Sequence, residues 1–363
     1  MDQRDIEYMQ RALRLAERGL YTTDPNPRVG CVIVSGNAIV GEAWHQRAGE
    51  PHAEILALSQ AGDKAAGSTV YVTLEPCSHH GKTPPCADAL VSAGVARVVA
   101  AMQDPNPLVA GSGFQRLRQQ GVDVESGLLE QAARAVNPGF VQRMHSRRPF
   151  VRVKLAMSLD GRTAMASGES RWITGEAARA DVQRLRARSS VILTGIDTVL
   201  HDDPSLNVRL TAEQLGIAGE VRQPHRVVLD SRLRISPAAK MLTLPGKTTV
   251  LTARPGQIPG CDVIPVKTDA GQLDLHAVMS WLSHNQVNEV HVEAGATLCG
   301  ALLQRKLVDE IVVYIAPHIM GGHARAMFNL PALEQMADRV SLDIKDVRHV
   351  GKDLRITACP VHN

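Results

Sequence analysis

His52-Ala53-Glu54, followed by Pro76-Cys77 and then by Cys86, is the stretch on which the reading of this chain turns. One imidazole and two thiols suit zinc, and three protein ligands leave the fourth tetrahedral position open for water. Glu54 stands two positions after His52, where it can shuttle protons without ligating the metal. Together these residues read as a hydrolytic zinc site. The competing readings are a pair of buried thiols, or a structural zinc site closed by a fourth ligand from His79, His80 or Cys31. Both leave Glu54 without a task.

The arrangement is similar to that of zinc nucleobase deaminases, which combine a His or Cys ligand, two Cys ligands and a non-ligating Glu. Those enzymes place two residues between the cysteines. Here the longer insert Ser78-His79-His80-Gly81-Lys82-Thr83-Pro84-Pro85 separates Cys77 from Cys86.

A chain of 363 residues exceeds one typical core, so two domains are expected. An apolar share of 44% with 21% charged residues describes a globular protein. A net charge of +3 makes no electrostatic case for duplex nucleic acid, and it is compatible with small anionic ligands. The six cysteines lack the dense spacing of a secreted disulfide scaffold, which points to a reducing cytoplasm. Ile6, Met9, Leu13, Ala16 and Leu20 recur among charges as in an amphipathic helix, unlike a signal peptide. No stretch is long and apolar enough to span a bilayer, so no membrane partner is expected.

The spacing predicts, after the opening helix, a hairpin at 29–34 and 38–44 around Ser35-Gly36-Asn37, then helix 52–60, strand 69–74 and helix 86–93. His52 and Cys86 therefore fall at helix starts, facing a common pocket. Strand 97–101, helix 113–120 and strand 122–125 complete an α/β layer. The polar, basic run 142–149 reads as a connection, with domains at 1–145 and 150–363 and a linker at 146–149. Beyond it come strands at 150–156, 191–194, 226–229, 248–251, 289–293 and 310–315, helices at 176–187, 275–283 and 296–306, and a closing hairpin at 344–349 and 354–358. No internal repeat, heptad run or low-complexity segment is read, and Gly111-Ser112-Gly113 is read as a loop.

Pro25-Asn26-Pro27-Arg28-Val29-Gly30, Ala48-Gly49-Glu50-Pro51-His52-Ala53-Glu54 and the segment from Glu75 to Cys86 resemble the bifunctional riboflavin-biosynthesis deaminase/reductases, a family that carries the long insert. The resemblance continues through Lys154-Leu155-Ala156-Met157-Ser158-Leu159-Asp160-Gly161, Thr194-Gly195-Ile196-Asp197-Thr198 and Asp202-Asp203-Pro204-Ser205-Leu206-Asn207-Val208-Arg209, and so covers nearly the whole chain. It implies a cytidine-deaminase-like three-layer α/β domain followed by a dihydrofolate-reductase-like domain. The first would hydrolytically deaminate a 2,5-diamino-6-ribosylamino-pyrimidinone 5′-phosphate with one zinc ion. The second would use NADPH to reduce the ribosyl group to a ribityl chain. The resemblance also favours a homodimer.

Zinc on His52, Cys77 and Cys86 would make its water acidic enough to deprotonate near neutral pH, and Glu54 would carry protons to the ring nitrogen and the departing amine. By resemblance, Asn26 would hydrogen-bond the pyrimidine, and His45 and Lys82 would hold the ribose and phosphate end. On their own terms, Asn26 in Pro-Asn-Pro is a turn former and His45 a satisfied structural histidine.

For the second domain, Glu293-Ala294-Gly295-Ala296-Thr297-Leu298 follows a strand and opens a helix, so its amides could receive a phosphate; it also fits an ordinary strand-to-helix turn. By resemblance Ala156, Trp172, Thr198, Asp202, Ser231 and Gly295, Ala296, Thr297, Leu298, Cys299, Gly300 and Ala301 contact NADPH. Ser170, Arg186, Leu206, Arg209 and Glu293 surround the sugar phosphate, with Lys154 nearby. Guanidinium forks suit a phosphate, although Arg186 beside Arg179, Arg184 and Arg188 also fits a solvated basic face. Asp202 is the candidate catalytic or orienting carboxylate, against a cap or turn role for Asp202 and Asp203. Two rivals share the zinc triad. A nucleic-acid-editing deaminase with an accessory binding domain calls for basic or aromatic strand-binding surfaces, and aromatics are 3% of this chain. A degenerate binding module would lack a ligand or the Glu, and all four residues are present.

Overall fold

The Asp2 carboxylate accepts the Asp5 backbone N–H and the Asp5 carboxylate accepts that of Asp2, a reciprocal cap that starts α1 (Gln3–Glu17). Met9, Ala12, Leu13 and Ala16 recur on one face of this helix and are buried. This computed structural model describes residues 2–78, 85–170 and 172–361. The chain divides into two compact units, Met1–Arg147 and Arg148–Asn363. Among the described residues no helix is long and apolar enough to cross a membrane.

In the first unit, β1 (Gly30–Ser35) and β2 (Ala38–Trp44) form the expected hairpin, followed by α2 (Ala53–Ala61), β3 (Thr69–Val72), α3 (Cys86–Ser92), β4 (Arg97–Ala100), α4 (Ser112–Gln119) and β5 (Asp123–Ser126). The sheet order is β2-β1-β3-β4-β5, antiparallel around β1 and parallel from β3 to β5. Alternation along each strand sends Cys31, Ile33, Val70, Val72, Val98 and Ala100 to a core under α2, α3 and α4. Val32, Val34, Tyr71 and Val99 face the opposite core, shared with α1, α5 (Glu130–Val136) and α6 (Pro138–Ser146). The result is a three-layer α/β/α unit.

Two readings are corrected here. Residues 142–146, read as part of a polar connection, belong to α6, whose first position is proline and whose Phe140 is buried. Gly111-Ser112-Gly113 is the start of α4, with Gly111 left-handed at φ 80° as its N-cap.

The second unit begins with β6 (Phe150–Ser158), β7 (Arg162–Ala164), α7 (Glu176–Arg188), β8 (Val191–Gly195), α8 (Ile196–Asp202), α9 (Ala212–Leu215), β9 (His225–Leu229), α10 (Lys240–Thr243), β10 (Thr248–Thr252) and β11 (Asp262–Pro265). It continues with β12 (Thr268–Asp269), β13 (Gln272–Leu273), α11 (Leu275–His284), β14 (Glu289–Val292), α12 (Ala296–Gln304), β15 (Glu310–Ala316), β16 (Arg325–Ala326) and the hairpin β17 (Ser341–Val350) and β18 (Asp353–Val361). Nine strands form one sheet in the order β11-β10-β9-β8-β14-β6-β15-β18-β17, parallel as far as β15 and antiparallel thereafter. One face packs Val151, Val153, Val290 and Val292 against α11 and α12.

On the opposite face α7 packs Ala178, Val182 and Leu185 against Val312 and Tyr314, and a charged cluster lies alongside. Arg152, 1% exposed, pairs with Glu289 at 3.1 Å and with Glu310, and Arg188 reaches Glu289 from α7. Sequence reading missed α8, a seven-residue helix capped by Gly195, and assigned Asp202 to no element. Asp202 is instead the last residue of α8, and Asp203 beyond it is left-handed at φ 40°.

Candidate active sites

In the first unit His52 is the N-cap of α2 and Cys86 the first residue of α3, so the two helix starts bring both side chains together. Cys77 follows β3. His52 Nδ1 lies 3.3 Å from Cys86 Sγ and 3.7 Å from Cys77 Sγ, and the Cys86 backbone N–H donates to Cys77 Sγ at 3.3 Å. All three ligand atoms fall within 4.8 Å of one another. A tetrahedral zinc at ordinary bond lengths separates its ligands by about 3.5–3.8 Å, so this donor set fits the ion by chemistry and size. Cys31 is fully buried on β1 and outside that cluster, while His79, His80 and Lys82 lie outside the described residues. The Cys86 thiol, with His52 and the Cys86 amide, brings the Cys77 thiol down to about 4.

Glu54, 3% exposed in the first turn of α2, lines the same cavity of about 230 Å³. Burial raises its carboxyl above the ordinary value, with His52 acting the other way. A carboxyl raised in this way holds a proton more readily than an exposed one, which suits a proton shuttle.

Asn26 and His45 also line the cavity. His45 Nδ1 is 3.2 Å from the Pro51 carbonyl, which can only accept, so Nδ1 carries the proton and Nε2 accepts from Asn26 Nδ2 at 3.1 Å. At 2% exposed, His45 is depressed by burial, and its ring meets that of His52 edge-on at 5.4 Å. Its two ring nitrogens thus bridge Asn26 and the Pro51 carbonyl.

Sequence reading missed Glu75, Asp104, Asn106, Phe140 and Met144 as cavity walls. A signal existed for two of them: Asp104-Pro105-Asn106-Pro107 repeats Asp24-Pro25-Asn26-Pro27. The repeat is too short to register as an internal duplication.

In the second unit a cleft of about 1320 Å³ runs along the carboxyl ends of β6, β14, β8 and β9, where open parallel sheets bind ligands. Lys154, Ala156, Ser170, Trp172, Arg186, Thr198, Asp202, Leu206, Arg209, Ser231, Glu293, Gly295, Ala296, Thr297, Leu298 and Ala301 all line it. Cys299 and Gly300 do not. Cys299 is fully buried with its thiol toward the Ala294 carbonyl, and a Cβ on Gly300 would collide with the Asn329 backbone. Both sit on the side of α12 turned away from the cleft.

Arg186 is no solvated residue. Its guanidinium grips Glu293 in a fork, Nε to Oε1 at 2.5 Å and Nη2 to Oε2 at 2.9 Å, and donates to the Asn207 carbonyl at 3.0 Å. Burial pushes the Glu293 carboxyl up, and Arg186 and His291 more than reverse it, so Glu293 is held well below its ordinary value. Burial lowers Lys154, opposed by Glu293, and lowers Arg209 with Arg186 adding to the effect. Three cations and one anion leave this corner with an excess of positive charge. Gly295 caps α12, and the position of its missing side chain is open space, so a phosphate group can approach the backbone there. Trp172 is 74% exposed with the Arg179 guanidinium 4.7 Å over its ring. The cleft's length, its open glycine turn and its basic corner fit an extended dinucleotide beside an anionic substrate.

Residues 149–356 match the RibD C-terminal domain family, and residues 2–102 match the cytidine and deoxycytidylate deaminase zinc-binding region. The riboflavin biosynthesis protein RibD of Escherichia coli (strain K12) is 53% identical over 358 residues, covering 96% of this chain and 98% of the relative. The chain belongs to the RibD family. The Haemophilus influenzae RibD is 48% identical, covering 98% of this chain and 97% of the relative. Among solved structures, Acinetobacter baumannii RibD (form 1) matches with a TM-score of 0.91 at 48% identity, covering 99% of each chain. A Thermotoga maritima diaminohydroxyphosphoribosylaminopyrimidine deaminase/5-amino-6-(5-phosphoribosylamino)uracil reductase matches with a TM-score of 0.87 at 31% identity, covering 98% of this chain and 99% of that one. As a RibD the chain is a deaminase and a reductase of riboflavin biosynthesis, with a cytidine-deaminase-like first unit and a dihydrofolate-reductase-like second. The nucleic-acid-editing alternative has no support, since its accessory binding domain is a reductase domain.

Proposed function

We propose that the first unit deaminates a diaminopyrimidinone ribosyl 5′-phosphate and that the second reduces the ribosyl group of the product with NADPH. The observation that carries the first step is the cluster of His52, Cys77 and Cys86 donors with buried Glu54 in one cavity. Zinc held by those three residues supplies a water acidified to near neutrality. Glu54 would take one proton from the attacking water and pass it to the ring nitrogen, then take the hydroxyl proton of the adduct and pass it to the amine, which leaves as ammonia as the carbonyl forms. Asn26, steadied by His45, presents its amide to the pyrimidine edge, and Lys82 is assigned to the phosphate end.

NADPH supplies the hydride of the second step, and the protein aligns the partners. Ala156, Trp172, Thr198, Ser231 and the Gly295 turn hold the cofactor. Arg186, Arg209 and Lys154 offset the substrate phosphate, helped by Ser170 and Leu206, and Glu293 keeps the Arg186 fork in its plane. Asp202 at the end of α8 orients the reacting groups. Mass spectrometry of the substrate with zinc-loaded protein should give a deaminated product alone, then a ribityl product once NADPH is added. Intact substrate in the presence of folded, zinc-containing protein would sink the assignment.

A homodimer and a cytoplasmic location complete the proposal. Leu342 and Ile344 are exposed on β17, the terminal strand of the nine-stranded sheet, and such an edge favours burial against a second copy. Light scattering should report twice the chain mass, and Ile344→Lys should lower it. All six cysteines are unpaired, as a reducing compartment requires.

A further inference from the structure

The two Asp-Pro-Asn-Pro segments border the deaminase cavity from different parts of the chain, one through Asn26 and Pro27 and the other through Asp104 and Asn106. Two prolines deprive each segment of backbone donors, so neither can be held by a sheet ladder. Other groups must fix them.

Asn137, at the junction of α5 and α6 and 6% exposed, holds the first. Its Oδ1 accepts the Arg28 backbone N–H at 2.8 Å and its Nδ2 donates to the Arg28 carbonyl at 2.8 Å. The Arg28 guanidinium returns to the Val136 carbonyl at 2.5 Å. The residue that follows Pro27 is thereby tied to α5 and α6 by three hydrogen bonds.

Glu75, 5% exposed and two positions before the ligand Cys77, holds the second. Its Oε2 accepts the N–H groups of Asp104 at 3.1 Å and Gly111 at 2.9 Å. Its Oε1 accepts those of Gly113 at 2.8 Å and Phe114 at 3.2 Å. A Cβ on Gly113 would strike the Pro76 carbonyl oxygen, so α4 starts directly against the loop that carries Cys77. One carboxylate therefore locks the metal-side loop to the wall that carries Asp104 and Asn106.

We propose that Glu75 and Asn137 are positioning residues for deamination, each setting one jaw of the substrate cavity while leaving the metal site to His52, Cys77 and Cys86. The inference rests on the deamination reading and adds to it a division of labour: the metal donors set the chemical step, and these two bridges set the grip on the pyrimidine. A buried carboxylate with four amide donors and a buried Asn clamp also stabilise a fold, so the test separates grip from stability.

Glu75→Gln replaces one acceptor oxygen with a donor that faces two N–H groups, and Asn137→Ala removes both bonds to Arg28. Losing such buried hydrogen bonds should raise the deamination KM by about tenfold or more in each variant, with kcat within about threefold and zinc at one per chain. Val124→Ala on β5, which thins the same unit's core outside the cavity wall, is the stability control and should lower Tm without moving KM. Hydrogen exchange adds a substrate-free measure: amides of 103–114 should exchange faster in Glu75→Gln, and those of 28–30 in Asn137→Ala. Wild-type KM in both variants, an equal rise in Val124→Ala, or unchanged exchange would overturn the proposal. Wild-type protein that turns over no substrate would instead sink the substrate reading and leave exchange to decide the positioning roles.

Discussion

Glu54 and Arg186 show how burial decides what a charged side chain does. Burial raises the Glu54 carboxyl and His52 only partly offsets it, whereas Arg186 has a forked carboxylate partner and stays charged. Glu54→Gln should keep zinc and lose deamination by about 10²–10⁴-fold, read by metal analysis beside the deaminase rate. Arg186→Lys keeps the charge and loses the fork, and should raise the reductase KM for the sugar phosphate by about tenfold, measured with NADPH saturating. At this scale the metal set was legible because His-x-Glu and two cysteines have few other uses together. The pairing of Arg186 with Glu293 was not, because 107 residues separate them and a helix rich in arginine looks solvated until its sheet is known.

Elements were legible where hydrophobic period was strong, and α5, α6 and α8 show where it was not. The run from Gln142 to Pro149 is basic and polar, yet α6 needs only Phe140 and a few neighbours to bury a face. Helix α1 owes its docking to charge as well as to its apolar stripe. Asp5 on α1 binds Arg97 on β4 at 2.8 Å and Tyr71 on β3 at 2.6 Å. Arg97, with help from Tyr71 and against burial, holds the Asp5 carboxyl far below its ordinary 3.8. A depressed carboxyl adds stability that is fully present above the unfolded value and is lost as the pH falls below it. Asp5→Asn should therefore lower Tm at pH 7 and narrow the difference from wild type as acid titration proceeds below pH 3.8, followed by circular dichroism of the isolated melting transition.

The whole molecule carries two chemistries on two compact units, each with hydrophobic clusters of its own. A chelator that strips zinc should abolish deamination and leave NADPH-dependent reduction of pre-deaminated substrate within about twofold, because the metal donors all belong to the first unit. Equal loss of both activities would show that the metal supports the second unit as well. Between the two chemistries the sequence was uneven. The zinc motif is contiguous enough to read, whereas the reductase cleft is assembled from the ends of four strands that only a sheet order brings together. The charged cluster in which Arg152 and Arg188 meet Glu289 and Glu310 has a bearing on heat. Stripping water from buried ions costs less as temperature rises, while the gain per unit of apolar area levels off. On warming, the share of the second unit's cohesion borne by these four ions grows, and its tolerance of heat comes to depend on the least oily part of its interior.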